Sequence, residues 1–155
     1  MRRLPLLFVL SIVAVAPLRS TPAAPPAALE PVAGKVVWVD FWASWCVPCR
    51  RSFPWMNAMH EKYGSQGLQI IAVNVDKERT LADEFLAETP ADFELRFDPT
   101  GALAQEFDVQ AMPSSFLLDA AGNVIARHFG FRLGDSAQYE ADIAAALDAA
   151  AGASR

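Results

Sequence analysis

The chain has 155 residues, 53% of them hydrophobic and 20% charged, with four Trp and ten Phe. That length suits one globular domain and excludes a multidomain assembly, and the apolar content excludes wholesale disorder. A formal net charge of −5, an isoelectric point near 4.9 and a mean hydropathy of +0.19 exclude a nucleic-acid binder, because no stripe of Lys or Arg is present to displace counterions from phosphates.

The N-terminus has the layout of an export signal. Arg2 and Arg3 precede an apolar stretch from Leu4 to Leu18, and a small-residue, proline-rich run from Thr21 to Ala28 follows. The apolar stretch contains Pro5 and Pro17 and falls short of the ~20 residues that span a bilayer, which favours a cleaved signal over an N-terminal anchor. Residues 1–24 are therefore expected to be the signal (or anchor), cut near Ala23, with 25–34 a linker, 35–150 the folded domain and 151–155 a short tail. No cysteine lies near residue 20 to carry a lipid. The expected compartment is the periplasm.

The folded part opens with an apolar run from Lys35 to Trp42. It is too short for a typical helix and apolar on both faces, as in a central strand. From Pro48 to Tyr63, apolar residues recur at Phe53, Met56, Met59 and Tyr63, about one helical turn apart, and Gly64 ends the pattern. Pro54 should kink this helix. Leu68 to Val75 predicts a second strand. Thr80 to Glu88 predicts a helix capped by Thr80. A short strand over Phe93 to Phe97 and a short helix over Thr100 to Phe107 lead to Val109 and Pro113. Two strands, Ser115 to Asp119 and Val124 to Phe129, flank a Gly-containing turn from Ala120 to Asn123 and predict a hairpin. A helix from about Asp135 to Ala149, striped by Tyr139, Ile143 and Leu147, closes the domain. The pattern predicts an α/β fold, a mixed sheet with helices on its faces and right-handed crossovers in its parallel part.

The two cysteines, Cys46 and Cys49, lie one short loop past the first central strand, where α/β sheets gather their chemistry. A structural disulfide stabilises chiefly by closing a long loop, and this pair closes almost none, so its value lies in being made and broken. A helix N-terminus stabilises a thiolate through unpaired amides and the helix dipole, which makes Cys46 the expected nucleophile. Cys49, one turn further along and expected to be the more buried, is placed to attack a mixed disulfide on Cys46. Pro48 suits the first helical turn, where its missing N–H costs nothing. A zinc site would need His60 and His128, which are far from finger spacing, so no metal is expected. Both histidines read as ordinary helix and hairpin residues.

The segment Val39 to Cys49 (V-D-F-W-A-S-W-C-V-P-C), Pro54, Met112-Pro113 before a strand and Gly130 after the hairpin resemble the thioredoxin superfamily. The segment Gln66 to Asp76, an addition of roughly 25 residues around Lys77 to Ala104, and Ala111 to Asp119 are similar to its exported TlpA/ResA-like branch. The resemblance implies a thioredoxin-like fold over about residues 35 to 150 and thiol:disulfide reductase activity without a cofactor. It also implies that Pro113 is cis beside the dithiol, leaving the Met112 backbone to pair with an extended substrate. Trp45, Val47 and Pro48 complete the expected substrate surface, with a purely packing role as the alternative for Trp45, while Trp42 is expected to pack. Asp40 matches a buried acid that accepts the Cys49 proton through water, and burial should raise its pKa. The alternative is a strand-end Asp facing solvent.

Two departures stand out. Members that reduce apocytochrome c often carry a Glu three residues after the second cysteine, and Ser52 stands there. Thioredoxin itself has a lysine near the start of the Asn74-Val75-Asp76 segment, where this chain has Ala72 and Val73, so Asp40 would lack that partner. The leading expectation is a periplasmic reductase of client proteins that carry disulfides, kept reduced by a membrane-embedded thiol electron donor. A disulfide oxidase or isomerase, and a carrier holding Cu(I) between its thiolates, are the competing functions.

Overall fold

The computed structural model describes residue 29 and residues 34–153. The expected export signal lies outside the described residues, apart from Leu29 and Gly34 the linker does too. The elements run β1 (Val36–Trp42), α1 (Cys49–Tyr63), β2 (Leu68–Asn74), α2 (Arg79–Glu88), β3 (Glu94–Phe97), α3 (Ala102–Glu106), β4 (Ser114–Leu118), β5 (Val124–Phe129) and α4 (Ser136–Ala153), with single 3-10 turns at Gly64–Gln66 and Leu133–Asp135. The five strands form one sheet in the order β3-β2-β1-β4-β5. β1 pairs in parallel with β2 and β2 with β3, while β4 runs antiparallel to both β1 and β5. The expected mixed sheet with helices on its faces is the one observed.

β1 is central, and every one of its residues is buried. Its alternating side chains serve two different layers. Val36, Trp38 and Trp42 join a core with Phe53, Met56 and Met59 of α1, Phe85 of α2, and Tyr139, Ile143 and Leu147 of α4. Val37, Val39 and Phe41 join a second core with Ile71 and Val73 of β2, Phe116 and Leu118 of β4, and Leu103 and Phe107 at α3. Trp42 packs as expected, its ring centroid 5.0 Å from Phe53 and 4.7 Å from Phe85.

Several boundaries differ from the sequence expectation. α1 runs unbroken through Pro54. The lost N–H removes one hydrogen bond near the N-terminal end, and Phe53 and Met56 on either side anchor the helix to the first core. Thr80 does not cap α2. That helix begins one residue earlier, at Arg79, and its capping position, Glu78, makes no side-chain cap bond. The real side-chain cap is at α3, where Asp98 accepts from the backbone N–H groups of Ala102 and Ala104. The hairpin turn is held by Asp119, whose Oδ1 accepts from the N–H groups of Ala121 and Asn123, with Gly122 at φ 86° supplying the left-handed residue. α4 continues to Ala153, into the stretch expected as a tail.

Candidate functional site

The site begins where β1 ends. The Val75 N–H donates to the Trp42 carbonyl (3.0 Å), holding the end of β1 against the end of β2. The chain then turns through Ala43 to Val47. The Cys46 N–H donates to the Ala43 carbonyl (3.0 Å), and the Cys49 N–H donates to the Cys46 carbonyl (3.2 Å). Pro48 occupies the capping position of α1 in helical conformation, with no side-chain cap. The N–H groups of Arg50, Arg51 and Ser52 are taken up by the Val47 and Pro48 carbonyls, and one amide reaches the sulfur: the Cys49 N–H also donates to Cys46 Sγ (3.3 Å). This is the interaction expected to favour a thiolate at a helix N-terminus.

Cys46 and Cys49 form a disulfide, with Cα atoms 5.4 Å apart. In this oxidised state both residues are covered, Cys46 at 2% and Cys49 at 0% exposure. The expected difference in burial is therefore small. Both sulfur-bearing residues belong to the first core, while their neighbours Trp45 and Val47 are each 68% exposed. Those two exposed apolar side chains flank Cys46 in the sequence.

The loop before β4 reaches the same end of the sheet. Ser114 opens β4 opposite Phe41, near the end of β1, so Met112 and Pro113 fall beside the loop that carries the cysteines. The Met112-Pro113 peptide is cis. Its geometry is held by the Gly130 N–H, which donates to the Pro113 carbonyl (2.8 Å), and by Ser114 Oγ, which donates to the Ala111 carbonyl (2.6 Å). Met112 is half-buried and packs against both cores.

Asp40 is 1% exposed, which removes the alternative of a solvent-facing strand end. It stands on β1 between Trp38 and Trp42, on the face that α1 covers. Across the sheet its partners are Ala72 on β2 and Ser115 on β4. Ser115 Oγ donates to Asp40 Oδ1 (2.5 Å), while Asp40 Oδ2 is buried with no partner among the described residues. Burial pushes the carboxyl up to about 7, against the smaller opposing effect of the Ser115 hydrogen bond. The missing lysine noted in the sequence is thus answered by a neutral hydroxyl from the other neighbouring strand.

Three features escaped the sequence reading. Ser115 is one. Its signal was a hydroxyl at an inward position of an apolar strand, which costs free energy unless bonded. A second is Asp76, which accepts from the Ser44 N–H (2.8 Å), Ser44 Oγ (3.0 Å) and Asn74 Nδ2 (2.7 Å), tying the cysteine loop to the end of β2. The third is His128, which lies opposite Ser115 on β5, stacks on Trp38 at 5.3 Å and sits 3.4 Å from Asp142 on α4. Desolvation lowers its pKa more than Asp142 raises it, which favours the neutral imidazole. His60 lies on α1 with its Nδ1 buried and without a partner among the described residues. Among the described residues, no group of three or more His, Cys, Asp or Glu could hold a metal ion.

A disulfide-bonded cysteine pair at the first turn of a helix, a cis-proline loop before β4 and a five-stranded mixed sheet beneath define a thioredoxin-like protein. The chain belongs to the redoxin family, whose description, Redoxin, matches residues 24–143. It is 34% identical over 97 residues to the thiol-disulfide oxidoreductase ResA of Bacillus thuringiensis subsp. konkukian, covering 63% of this chain and 56% of that one. The chain thus spans little more than half the length of the curated relatives it matches. A crystal structure from Chlorobium tepidum, provisionally assigned as the thiol:disulfide interchange protein DsbE, is 47% identical, with a TM-score of 0.75 over 80% of this chain and 91% of that one. A second Chlorobium tepidum structure, a thiol:disulfide interchange protein of the thioredoxin family, is 25% identical, with a TM-score of 0.70 over 85% of this chain and 99% of the other.

Proposed function

We propose that this protein is an exported thiol:disulfide oxidoreductase that reduces disulfides in client proteins. The observation that carries this reading is the Cys46–Cys49 bridge at the first turn of α1, above the face of β1 on which Asp40 is buried. In the reduced enzyme the Cys46 thiolate attacks one sulfur of a client disulfide. A mixed disulfide forms, and the first client sulfur leaves as a thiolate that takes up a proton. Cys49 then gives its proton to Asp40, by way of water, and attacks Cys46 Sγ. The intermolecular bond breaks, the second client thiolate leaves, and two electrons have passed from the dithiol to the client. A carboxyl held near 7 is suited to this exchange because it can accept and return a proton at neutral pH.

Trp45, Val47, Pro48, Met112 and Pro113 form the client surface in this reading, with the Met112 backbone pairing to an extended client segment. The family match and the names of the similar proteins support the chemistry. The reducing direction is supported by the Val47-Pro48 dipeptide between the cysteines and by Asp40. Export, and with it a periplasmic location and a membrane-embedded thiol donor, rests on the sequence of residues 1–28. No helix of the described residues is long and apolar enough to cross a membrane.

The test is trapping. Cys49→Ala should accumulate mixed disulfides with a disulfide-linked peptide through Cys46, and Cys46→Ala should not. Equal trapping by both variants would reverse the roles of the two sulfurs. The reduction potential of the pair should lie nearer to about −270 mV than to about −120 mV, and the latter value would make the protein an oxidase.

A further inference from the structure

Ser115 lies in a strand, Ser-Ser-Phe-Leu-Leu, in which all five residues are buried. Its two serines do different things. Ser114 turns its hydroxyl to the Ala111 carbonyl and fastens the cis-proline loop. Ser115 points to the opposite face of β4 and meets a carboxylate. An apolar residue would fill that position at no polar cost, whereas a buried hydroxyl is tolerable only with a partner. Its partner is Asp40, a buried acid on the face shared with the dithiol.

We propose that Ser115 is the positioning residue for proton transfer at the dithiol, its hydroxyl holding Asp40 Oδ1 so that Oδ2 is left to exchange the proton of Cys49. This rests on the reading of Asp40 given above. The surroundings of the carboxyl give Ser115 that part. Ala72, its neighbour on β2, has no polar side chain. Trp38 and Trp42, on either side along β1, present buried indoles whose Nε1 atoms have no partner among the described residues. Among the described residues, the ionisable groups around this face include Cys46 and Cys49 at the start of α1, Tyr63 at its far end, His128 on β5 beyond Ser115, and Tyr139 and Asp142 of α4, which meet His128. α2 contributes Ala82, Phe85 and the partly buried Leu86, none of them ionisable.

A hydroxyl donated to a carboxylate favours its charged form. Without Ser115, burial would act unopposed and the acid would hold its proton to a higher pH. It would then be a poorer acceptor in the neutral range where the resolving step needs one. The hydrogen bond also selects which oxygen is free. Loss of the hydroxyl therefore alters both the midpoint and the orientation of the acid while leaving the cysteines in place.

The experiment follows the Asp40 carboxyl carbon by NMR titration in the reduced full chain, together with the rate at which a disulfide-linked peptide is released from Cys46. Ser115→Ala should move the Asp40 midpoint upward by about one pH unit and slow release at pH 7 up to about tenfold. Ser115→Thr, which keeps the hydroxyl, should restore both. Ser115→Val, matched in shape to Thr, should behave like Ala, and this pair keeps the comparison valid if Ala disturbs folding. An unmoved midpoint in both Ala and Val variants would overturn the inference, as would failure of Thr to restore it. Asp40→Asn separates the two levels: if it slows release while Ser115→Ala changes nothing, only the role of Ser115 falls. If Asp40→Asn leaves release unchanged, the reading of Asp40 falls and this inference with it.

Discussion

The two faces of β1 differ in what they are permitted to bury. On one face Val37, Val39 and Phe41 meet apolar partners from β2, β4 and the α3 region, and the one buried polar side chain β4 adds there, Ser114, turns its hydroxyl to the Ala111 carbonyl. On the other, Asp40 stands between Trp38 and Trp42, and the row continues through Ser115 to His128. Register makes this row. Three polar residues far apart in sequence become neighbours because β1, β4 and β5 are adjacent and each places an inward side chain at the same level. Both faces are equally dry, so the difference is not one of exposure. The polar face carries groups whose charge state can change, and it lies under the helix that holds the dithiol. The apolar face carries the packing that makes the sheet rigid enough to hold them.

That division can be broken by changing one residue on each face. The largest effect is expected from Phe41→Ala, which removes a ring lying 5.3 Å from Phe107 and 5.8 Å from Phe116. Truncation of a buried Phe costs roughly 3–5 kcal/mol, seen as a lower midpoint in denaturant unfolding. Alkylation of Cys46 in the folded fraction should keep its pH profile. A displaced profile would mean that the two faces are coupled and that the comparison is wrong.

Asp40→Asn should do the reverse. The native carboxyl has its pKa raised from 3.8 to about 7, so the folded state binds the proton more tightly than the unfolded one. Its burden on stability is absent below about pH 4, grows as the pH rises and is complete above about pH 7, at a size on the order of 4 kcal/mol. The amide never ionises. Asp40→Asn should therefore be more stable than the parent chain at pH 8, by up to that amount, and similar to it at pH 4, while turnover falls. Chemical unfolding at the two pH values reads the effect directly, and an equal difference at both would assign Asp40 a purely structural place.

The apolar alternation and the helical spacing around Phe53, Met56 and Met59 were enough to find the sheet, the helices and the hairpin, because each reflects a period imposed by burial. The dithiol was legible because its chemistry is written in adjacent residues, whereas the cis-proline was legible only through the resemblance of Met112-Pro113 to the thioredoxin superfamily. Ser115, His128 and Asp76 were not, since each owes its place to strand order or to a loop crossing, neither of which leaves a local pattern. The absence of a lysine near the N-x-D segment was visible, but the residue that meets Asp40 instead comes from the strand on its other side. Thr80 misled for a related reason. It has the chemistry of a cap, yet α2 starts at Arg79, one residue before it.

The smallest expected effect concerns the loop that joins the faces to the chemistry. Asp76 gathers three donors, two of them from Ser44, in the loop that leads into Cys46. Asp76→Ala would leave the Ser44 N–H and the Asn74 amide without an acceptor, and such unmade bonds cost about 1–3 kcal/mol. Asp76→Asn should cost less. Its oxygen can replace Oδ2 for the Ser44 N–H and Asn74, and its amide can donate to Ser44 Oγ, which is able to accept. If Asp76 only fastens the loop, Asn should lie close to the parent in both stability and Cys46 alkylation, and Ala should lower the first while speeding the second as the loop loosens around the sulfur. If Asn instead changes the alkylation profile as much as Ala does, the charge of Asp76 reaches the dithiol, and the polar territory extends beyond one face of β1 to the end of β2.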